Sequence, residues 1–189
     1  AFSCYEACDR ITTLYGGNQQ LQLQDGAAPE KAEIIPNGVD VQRFVNIPRI
    51  PRSQRKPTVA LIGRCVSIKD IKTYIRAIAL LVKRHPDVQA WLLGPTDEEQ
   101  KYYEECVSLV KHSGLENHFT FKGSVQLTEY LGKIDCIVLT SVSEAQPLVI
   151  LEAGAAGVPV VSTDVGSCRE MLEGTAFPDD DLGPGGFIT

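Results

Sequence analysis

Apolar and polar positions follow two periods along this chain, and from residue 57 onward the two take turns. TVALI (58–62) is a short β-branched run with the length of a buried strand. Ile71, Tyr74, Ile75, Ile78, Leu81 and Val82 then recur at helical spacing and stop before Pro86. VQAWLL (88–93) predicts a second strand. Its helix is expected to open at Thr96, with Glu99 three residues on completing a capping box, and to end at Gly114. HFTFKG (118–123), CIVLT (136–140) and VPVVS (158–162) predict three more strands, with short helices near 128–131 and 168–172. The last residues, Gly-Phe-Ile-Thr, read as the opening of another strand. Strands alternating with helices imply an α/β fold, a Rossmann-like parallel sheet with helices on both faces.

Before residue 57 the pattern is weaker. Residues 1–36 suggest a helical start, a turn at Tyr15-Gly16-Gly17-Asn18, a polar helix and a strand at Glu33-Ile34-Ile35. Residues 37–56 read as a linker of irregular, exposed chain, because Asn37-Gly38 signals a turn and Pro48, Pro51 and several basic residues follow. The chain begins at Ala1 and stops where a strand opens, so it reads as a piece of a larger protein, truncated at both ends.

Composition narrows the classes. The 189 residues can bury one substantial core, or one domain with part of another. A net charge of −6 without a basic stripe argues against nucleic-acid binding. No run approaches the roughly 18 apolar residues of a membrane span. Cys4, Cys8, Cys65, Cys106, Cys136 and Cys168 form no CxxC pair and no metal-ligand spacing, which favours reduced core thiols in a cytoplasmic protein over a disulfide framework.

Two loops carry candidate chemistry. In SEAQPLVILEAGAAGVPVVSTDVG (143–166), Glu144 and Glu152 stand eight positions apart across a strand-to-helix junction, with Pro147 suited to the helix's first turn. Glu144 then lies at the carboxyl end of a strand, where open α/β sheets bind ligands, and a carboxylate there can accept from the two hydroxyls of a sugar diol. On spacing alone, such glutamates are more often a loop charge and a solvated helix face. The turn after the first strand, Gly63 to Asp70, has one glycine where a dinucleotide fingerprint has three, and no Gly-Lys-Ser/Thr phosphate loop. It offers Arg64 and Lys69 astride a helix amino terminus, which suits a pyrophosphate. Taken alone, a capped loop and a solvated lysine are the slightly favoured reading. Both loops lie at the same sheet edge, however, and a nucleotide-sugar offers both a diphosphate and hydroxyls.

The segments IIPNGVDVQRF (34–44), IGRCVSIKD (62–70), LLGP (92–95), FTFKG (119–123) and residues 143–166 together resemble the nucleotide-sugar half of family 4 glycosyltransferases, retaining enzymes of the two-domain GT-B fold. IKD, GPTDE, VLTS, QPLV and the Cys-Arg-Glu after TDVG resemble the Pel-type exopolysaccharide glycosyltransferases most. The resemblance spans essentially the whole chain. It implies that residues 1–36 are the tail of the acceptor domain, 37–56 the interdomain linker, and 57–189 a donor-binding domain incomplete at its carboxyl end. It implies that Arg64 and Lys69 grip the donor diphosphate in place of a metal ion, with no other cofactor. Glu152 would accept from the ribose hydroxyls and Glu144 from the sugar. Lys122 and Gly123 would meet the base through their backbone, and Gly94 would let the chain pass close to the ligand. Ala145, Gln146, Pro147 and Leu148 would complete the donor site. The donor would be a UDP-sugar, with UDP-glucose the first candidate. The acceptor would be a polysaccharide held by the missing amino-terminal domain, beside membrane-associated synthesis proteins, in the cytoplasm of a bacterium. The fragment alone would be inactive.

Departures from the family pattern are local. Ala145-Gln146-Pro147 replaces the common Gly-Phe-Gly, and alanine at 145 would be strained if that position needed a positive φ. Gly154 occupies a helical place where a larger residue is usual, at a cost of up to about 1 kcal/mol relative to alanine. Asp179-Asp180-Asp181 has a metal-binding spacing but reads as a solvated acidic turn. His85, His112 and His118 show no ligand spacing, Trp91 reads as core, and Ser141 and Ser143 lack a hydrolase context. A non-catalytic nucleotide-binding or regulatory α/β module, and a GT-B epimerase or phosphorylase, are the alternatives.

Overall fold

In a computed structural model of the protein, residues 2–174 and 184–189 are described. The acidic turn expected at 179–181 lies outside them. A six-stranded parallel sheet organises the chain from residue 57 on. It contains β3 (Thr58–Ile62), β4 (Gln89–Leu93), β5 (Phe119–Gly123), β6 (Cys136–Leu139), β7 (Val160–Ser162) and β8 (Gly186–Ile188), in the order β5-β4-β3-β6-β7-β8. Five of these match the predicted apolar runs, β3 in full and the other four trimmed by a residue or two, and β8 is the strand that the last residues open.

Helices cover both faces because strand residues alternate between two cores. Leu61, Ala90, Leu92 and Phe119 pack with Ile71, Tyr74, Ile75 and Ile78 of α4 (Ile71–Arg84) and Cys106 and Val110 of α5 (Gln100–His112). Ala60, Leu93, Ile137, Leu139 and Val160 face the other way, onto α6 (Leu148–Ala155) and α7 (Cys168–Glu173). The buried residues of α4 fall at i, i+3, i+4 and i+7, one stripe of a helix. Tyr74 satisfies its buried hydroxyl by donating to the carbonyls of Val59 at 3.0 Å and Trp91 at 3.3 Å.

Before the sheet the structure differs from the sequence reading in three places. α1 (Phe2–Ala7) is followed by a strand the pattern does not reveal, β1 (Ile11–Thr13), which pairs in parallel with β2 (Ala32–Ile34). Three residues are too few to show a period. The glycines expected in a turn instead open α2 (Gly16–Gln24). The segment expected to be irregular linker holds α3 (Val41–Val45), whose amino end is capped by Asp40 accepting from the Gln42 amide at 3.1 Å. Phe44 of that helix is buried against the α6 side of the sheet.

The chain from 47 to 58 is strapped down. The Ile50 amide donates to the Gly132 carbonyl at 2.9 Å. Asp135 accepts from Arg55 through both oxygens, at 2.5 and 2.7 Å, from Arg52 at 3.0 Å and from the Thr58 amide at 2.9 Å. Burial alone would raise the Asp135 carboxyl, but the Arg55, Thr58 and Arg52 hydrogen bonds outweigh it and hold the group well below the usual carboxylate range.

Two further expectations change form. The Thr96–Glu99 capping box is not made. α5 starts at Gln100, and the Glu99 carboxylate accepts instead from Ser67, at 3.0 Å from its amide and 3.3 Å from its hydroxyl. The short helix near 128–131 is a pair of 3-10 turns, Leu127–Glu129 and Leu131–Lys133.

Candidate functional site

Because the strands are parallel, the loops after β3 to β7 gather at one edge of the sheet. The chain runs outward from β3 to β4 and β5, then crosses back to place β6 on the other side of β3. That reversal is a topological switch point, where open sheets leave a crevice. The loops after β3 and β6 meet over it. Thr140 donates from Oγ1 to the carbonyls of Lys69 and Asp70, both at 2.9 Å, and the Val142 amide donates to the Ile68 carbonyl at 3.0 Å. Asp70 turns the first loop into α4 with a left-handed backbone (φ 44°) and caps the helix by accepting from the Thr73 amide at 3.2 Å.

At this junction the Lys69 ammonium forms an ion pair with the Glu144 carboxylate. The same oxygen of Glu144, Oε1, accepts from the Ser141 hydroxyl at 2.6 Å, while Oε2 accepts from nothing among the described residues. The side chains are 22% and 12% exposed, so the pair is less screened than a surface one but still reached from solvent. Arg64, 55% exposed, donates from Nη1 to Glu98 of the loop after β4 at 2.7 Å. A pair that open is weakly held. Each predicted cation therefore holds a carboxylate, and the guanidinium keeps further donors.

Behind Glu144 the chain is supported from β7. Ser167 donates to the Ala145 carbonyl from its amide at 2.9 Å and from its hydroxyl at 3.0 Å. Gly166 (φ 56°) lies so close that a Cβ there would stand 2.2 Å from the Glu144 carbonyl oxygen. Among the described residues Asp70 is the only non-glycine with a positive φ, so Ala145 carries none of the strain that its replacement of glycine suggested. Pro147 is buried at the amino cap of α6, where its carbonyl accepts from the Ile150 amide at 3.1 Å, and Leu148 is half exposed as the first helical residue. Gln146 binds Asn37: the Asn37 amide donates to Oε1 at 2.5 Å and its side chain to the Gln146 carbonyl at 2.9 Å.

Glu152, the fifth residue of α6, is partly buried. Burial raises its carboxyl above the ordinary glutamate value, and the charge of Arg43 on α3 opposes the rise without cancelling it. Gly94 makes its close approach to backbone: a Cβ there would stand 2.1 Å from the Gly63 carbonyl oxygen, so glycine lets the loops after β3 and β4 touch. Its amide donates to the Gly123 carbonyl at 2.9 Å. The Lys122 ammonium lies 5.0 Å from the centre of the Trp91 ring, on the sheet face.

The structure thus joins Lys69 to Glu144, seats Arg64 in the neighbouring loop and sets Glu152 on the helix that Glu144's loop begins. Sequence reasoning misses four supports. Ser141 invites attention only as a nucleophile and Asn37 only as a turn signal, while Ser167 and Gly166 give no local signal, because their partners are more than 20 positions away.

The family described as Glycosyl transferases group 1 matches residues 56–184, and a Domain of unknown function (DUF3492) matches residues 1–30. The chain is similar to a D-inositol 3-phosphate glycosyltransferase of Paenarthrobacter aurescens (strain TC1), 30% identical over 158 residues, 78% of this chain and 38% of that protein. It is also similar to one from Arthrobacter sp. (strain FB24), 33% identical over 152 residues, 74% of this chain and 35% of that protein. Among solved structures, Anabaena Alr3699/HepE in complex with UDP and glucose superposes with a TM-score of 0.79 at 26% identity, covering 96% of this chain and 49% of that one. Sucrose-phosphate synthase from Thermosynechococcus elongatus, with a TM-score of 0.77 at 23% identity, covers 98% of this chain and 46% of that one and shares the fold. The chain spans less than half the length of the curated relatives it matches.

Proposed function

The chain belongs to the group 1 glycosyl transferases, and from that premise we propose that it is the donor-binding part of a retaining transferase. This enzyme moves a hexose, glucose as first candidate, from a UDP-sugar to a growing exopolysaccharide. The observation that carries the reading is the meeting of Lys69, Glu144 and Ser141 over the switch point, with Glu152 on α6, the helix that Glu144's loop enters. A cation and two carboxylates at one sheet edge suit a molecule that has a diphosphate between two sets of hydroxyls. The UDP and glucose held by HepE, and the UDP-glucose held in another of its structures, support that donor class.

In this reading the diphosphate takes over Lys69 and Arg64 from their carboxylates. Both cations then stabilise the negative charge that grows on the departing UDP, the part a metal ion would otherwise play. Glu144, released from Lys69, accepts from hydroxyls of the sugar, and Glu152 accepts from the ribose. The anomeric carbon–oxygen bond breaks with its electron pair going to the β-phosphate. The acceptor oxygen bonds to the same face of that carbon, and its proton passes to the leaving phosphate oxygen.

Residues 1–36 would close the acceptor domain, 37–56 would link the two, and the protein would work in the cytoplasm beside membrane-associated synthesis proteins. Among the described residues no helix is long and apolar enough to cross a membrane. The exopolysaccharide acceptor rests on the Pel-type motifs, and the curated relatives are named for D-inositol 3-phosphate instead. Product analysis of the full-length enzyme with UDP-glucose and both acceptors separates the two. For the donor site itself, titration of UDP into Lys69→Ala and Glu152→Ala is expected to show weaker binding in both. Affinity equal to that of the unaltered chain would remove those residues from the site.

A further inference from the structure

At the opposite edge of the sheet, where strands begin, a cavity of about 380 Å³ opens beside the first residues of β3 and β4. The strap before β3 forms one wall, with Gln54 and Lys56; Gln89, Trp91 and Lys133 form another. We propose that this cavity is a second ligand site, for a hexose that carries an anionic group, a phosphate or a carboxylate.

Its charge is the first ground. Arg55 also lines the cavity, but its guanidinium is taken up by the Asp135 carboxylate and the carbonyls of Ile50 and Lys56. Lys56 and Lys133 have no carboxylate partner among the described residues, although the chain carries a net charge of −6. Two lysines without a carboxylate partner line one hollow, Lys133 with its ammonium over the neighbouring Tyr130 ring, and they are left to attract an anion.

The aromatic wall is the second ground. Trp91 is held edge-on by Tyr130, with ring centres 5.8 Å apart at 88°, and Lys122 and Lys133 rest on the two rings at 5.0 and 5.3 Å. With Lys122 over the ring and Tyr130 against it, the indole is fixed, and the part of its surface that lines the cavity offers the apolar C–H surface of a pyranose a partner at little entropic cost. The amides of Gln54 and Gln89 supply donors and acceptors for ring hydroxyls. An inorganic anion would use the lysines alone, whereas an anionic sugar uses every wall.

The cavity lies at the edge where the strands begin and the donor-site loops at the edge where they end; because Lys122 rests on the Trp91 ring, UDP is titrated as a further control. Trp91 is the only tryptophan in the chain, and its emission reports on the cavity directly. The test titrates a hexose 6-phosphate and a hexuronate into the 189-residue chain, with glucose and inorganic phosphate as controls. Trp91 fluorescence is followed, and calorimetry repeats each titration. A saturable response to the charged sugars is expected, at least tenfold weaker in Lys56→Glu/Lys133→Glu, whose circular-dichroism melt verifies that it is folded. A response to the phosphate ester alone assigns the site to a free sugar phosphate; one to the uronate alone assigns it to a unit of an acidic glycan. Three results overturn the proposal: no saturable binding of either charged sugar up to about 10 mM, the weak end of small-ligand affinity; inorganic phosphate binding as tightly; or equal affinity in the folded double variant.

Discussion

Glu152 carries two opposing demands at the scale of one residue. Partial burial raises its carboxyl, whereas accepting from ribose hydroxyls needs the ionised form. A raised value means that the group takes up its proton at a higher pH than an ordinary glutamate. UDP affinity should therefore be full at neutral pH and fall as pH drops through the raised value, before free glutamates near pH 4.3 titrate. In Glu152→Gln the share of that dependence due to Glu152 should be lost, leaving the share due to the terminal phosphate of UDP, which takes up its second proton at about pH 6; calorimetric series on both chains from neutral pH downward check this. Glu152→Ala removes charge-assisted hydrogen bonds worth about 1.5–3 kcal/mol, a roughly tenfold or greater loss of UDP affinity. Asp135 illustrates the opposite shift. Its carboxyl is depressed, so the stability it contributes is present above the ordinary aspartate value of about 3.9 and is lost as pH falls toward the folded value. Asp135→Ala leaves Arg55 buried without its partner and should cost about 3 kcal/mol in urea unfolding at neutral pH, a gap that narrows below about pH 4. A variant as stable as the unaltered chain would mean that the strap holds without this pair.

Elements determine where such residues stand, and elements are the most legible part of the sequence. Strands β3 to β7 and α4 announce themselves because burial on two faces or along one stripe leaves an apolar run or a strong period. Short elements do not: β1 has three residues and α3 five, and both exist through contacts with distant chain, β2 in one case and the α6 side of the core in the other. The capping box fails for a related reason. Glu99 finds a better-placed donor in Ser67, 32 positions away, than in its own helix. In the candidate site, Glu144 and Lys69 can be singled out because chemistry and position coincide in loops at strand ends, and Glu152 because it stands on the helix that follows. Their supports are not, since Asn37 reaches Gln146 across 109 positions. α6 offers a direct test of element-level reasoning. Gly154 is exposed, and a Cβ there meets nothing within 4 Å. Gly154→Ala should stabilise the chain by about 0.5–1 kcal/mol without altering UDP binding, read from chemical unfolding and titration. Gly166→Ala, by contrast, should push the Glu144 loop away and weaken UDP binding, because a methyl group there collides with the Glu144 and Ala145 carbonyls. Unchanged affinity in that variant would show that the loop's position is not what Gly166 protects.

For the whole molecule, the architecture explains why one sheet edge carries the chemistry. A parallel sheet that reverses direction at β3 and β6 opens a crevice, and the two loops flanking it bring opposite charges into contact. Those charges satisfy each other, so a diphosphate has to compete with Glu144 for Lys69. The 189 residues cover about half of HepE, and the function proposed above leaves acceptor binding to the half they do not cover. The chain by itself should bind donor weakly and transfer nothing; radiolabelled sugar appearing in product from the isolated chain would disprove that. The most direct measurement is a calorimetric titration of the chain with UDP, with GDP and ADP run beside it. Saturable binding of UDP, stronger than that of either control and lost in Glu152→Ala, is the predicted result. Absence of UDP binding, or equal binding of all three nucleotides, would contradict the assignment of the β3–β6 crevice as a UDP-sugar site.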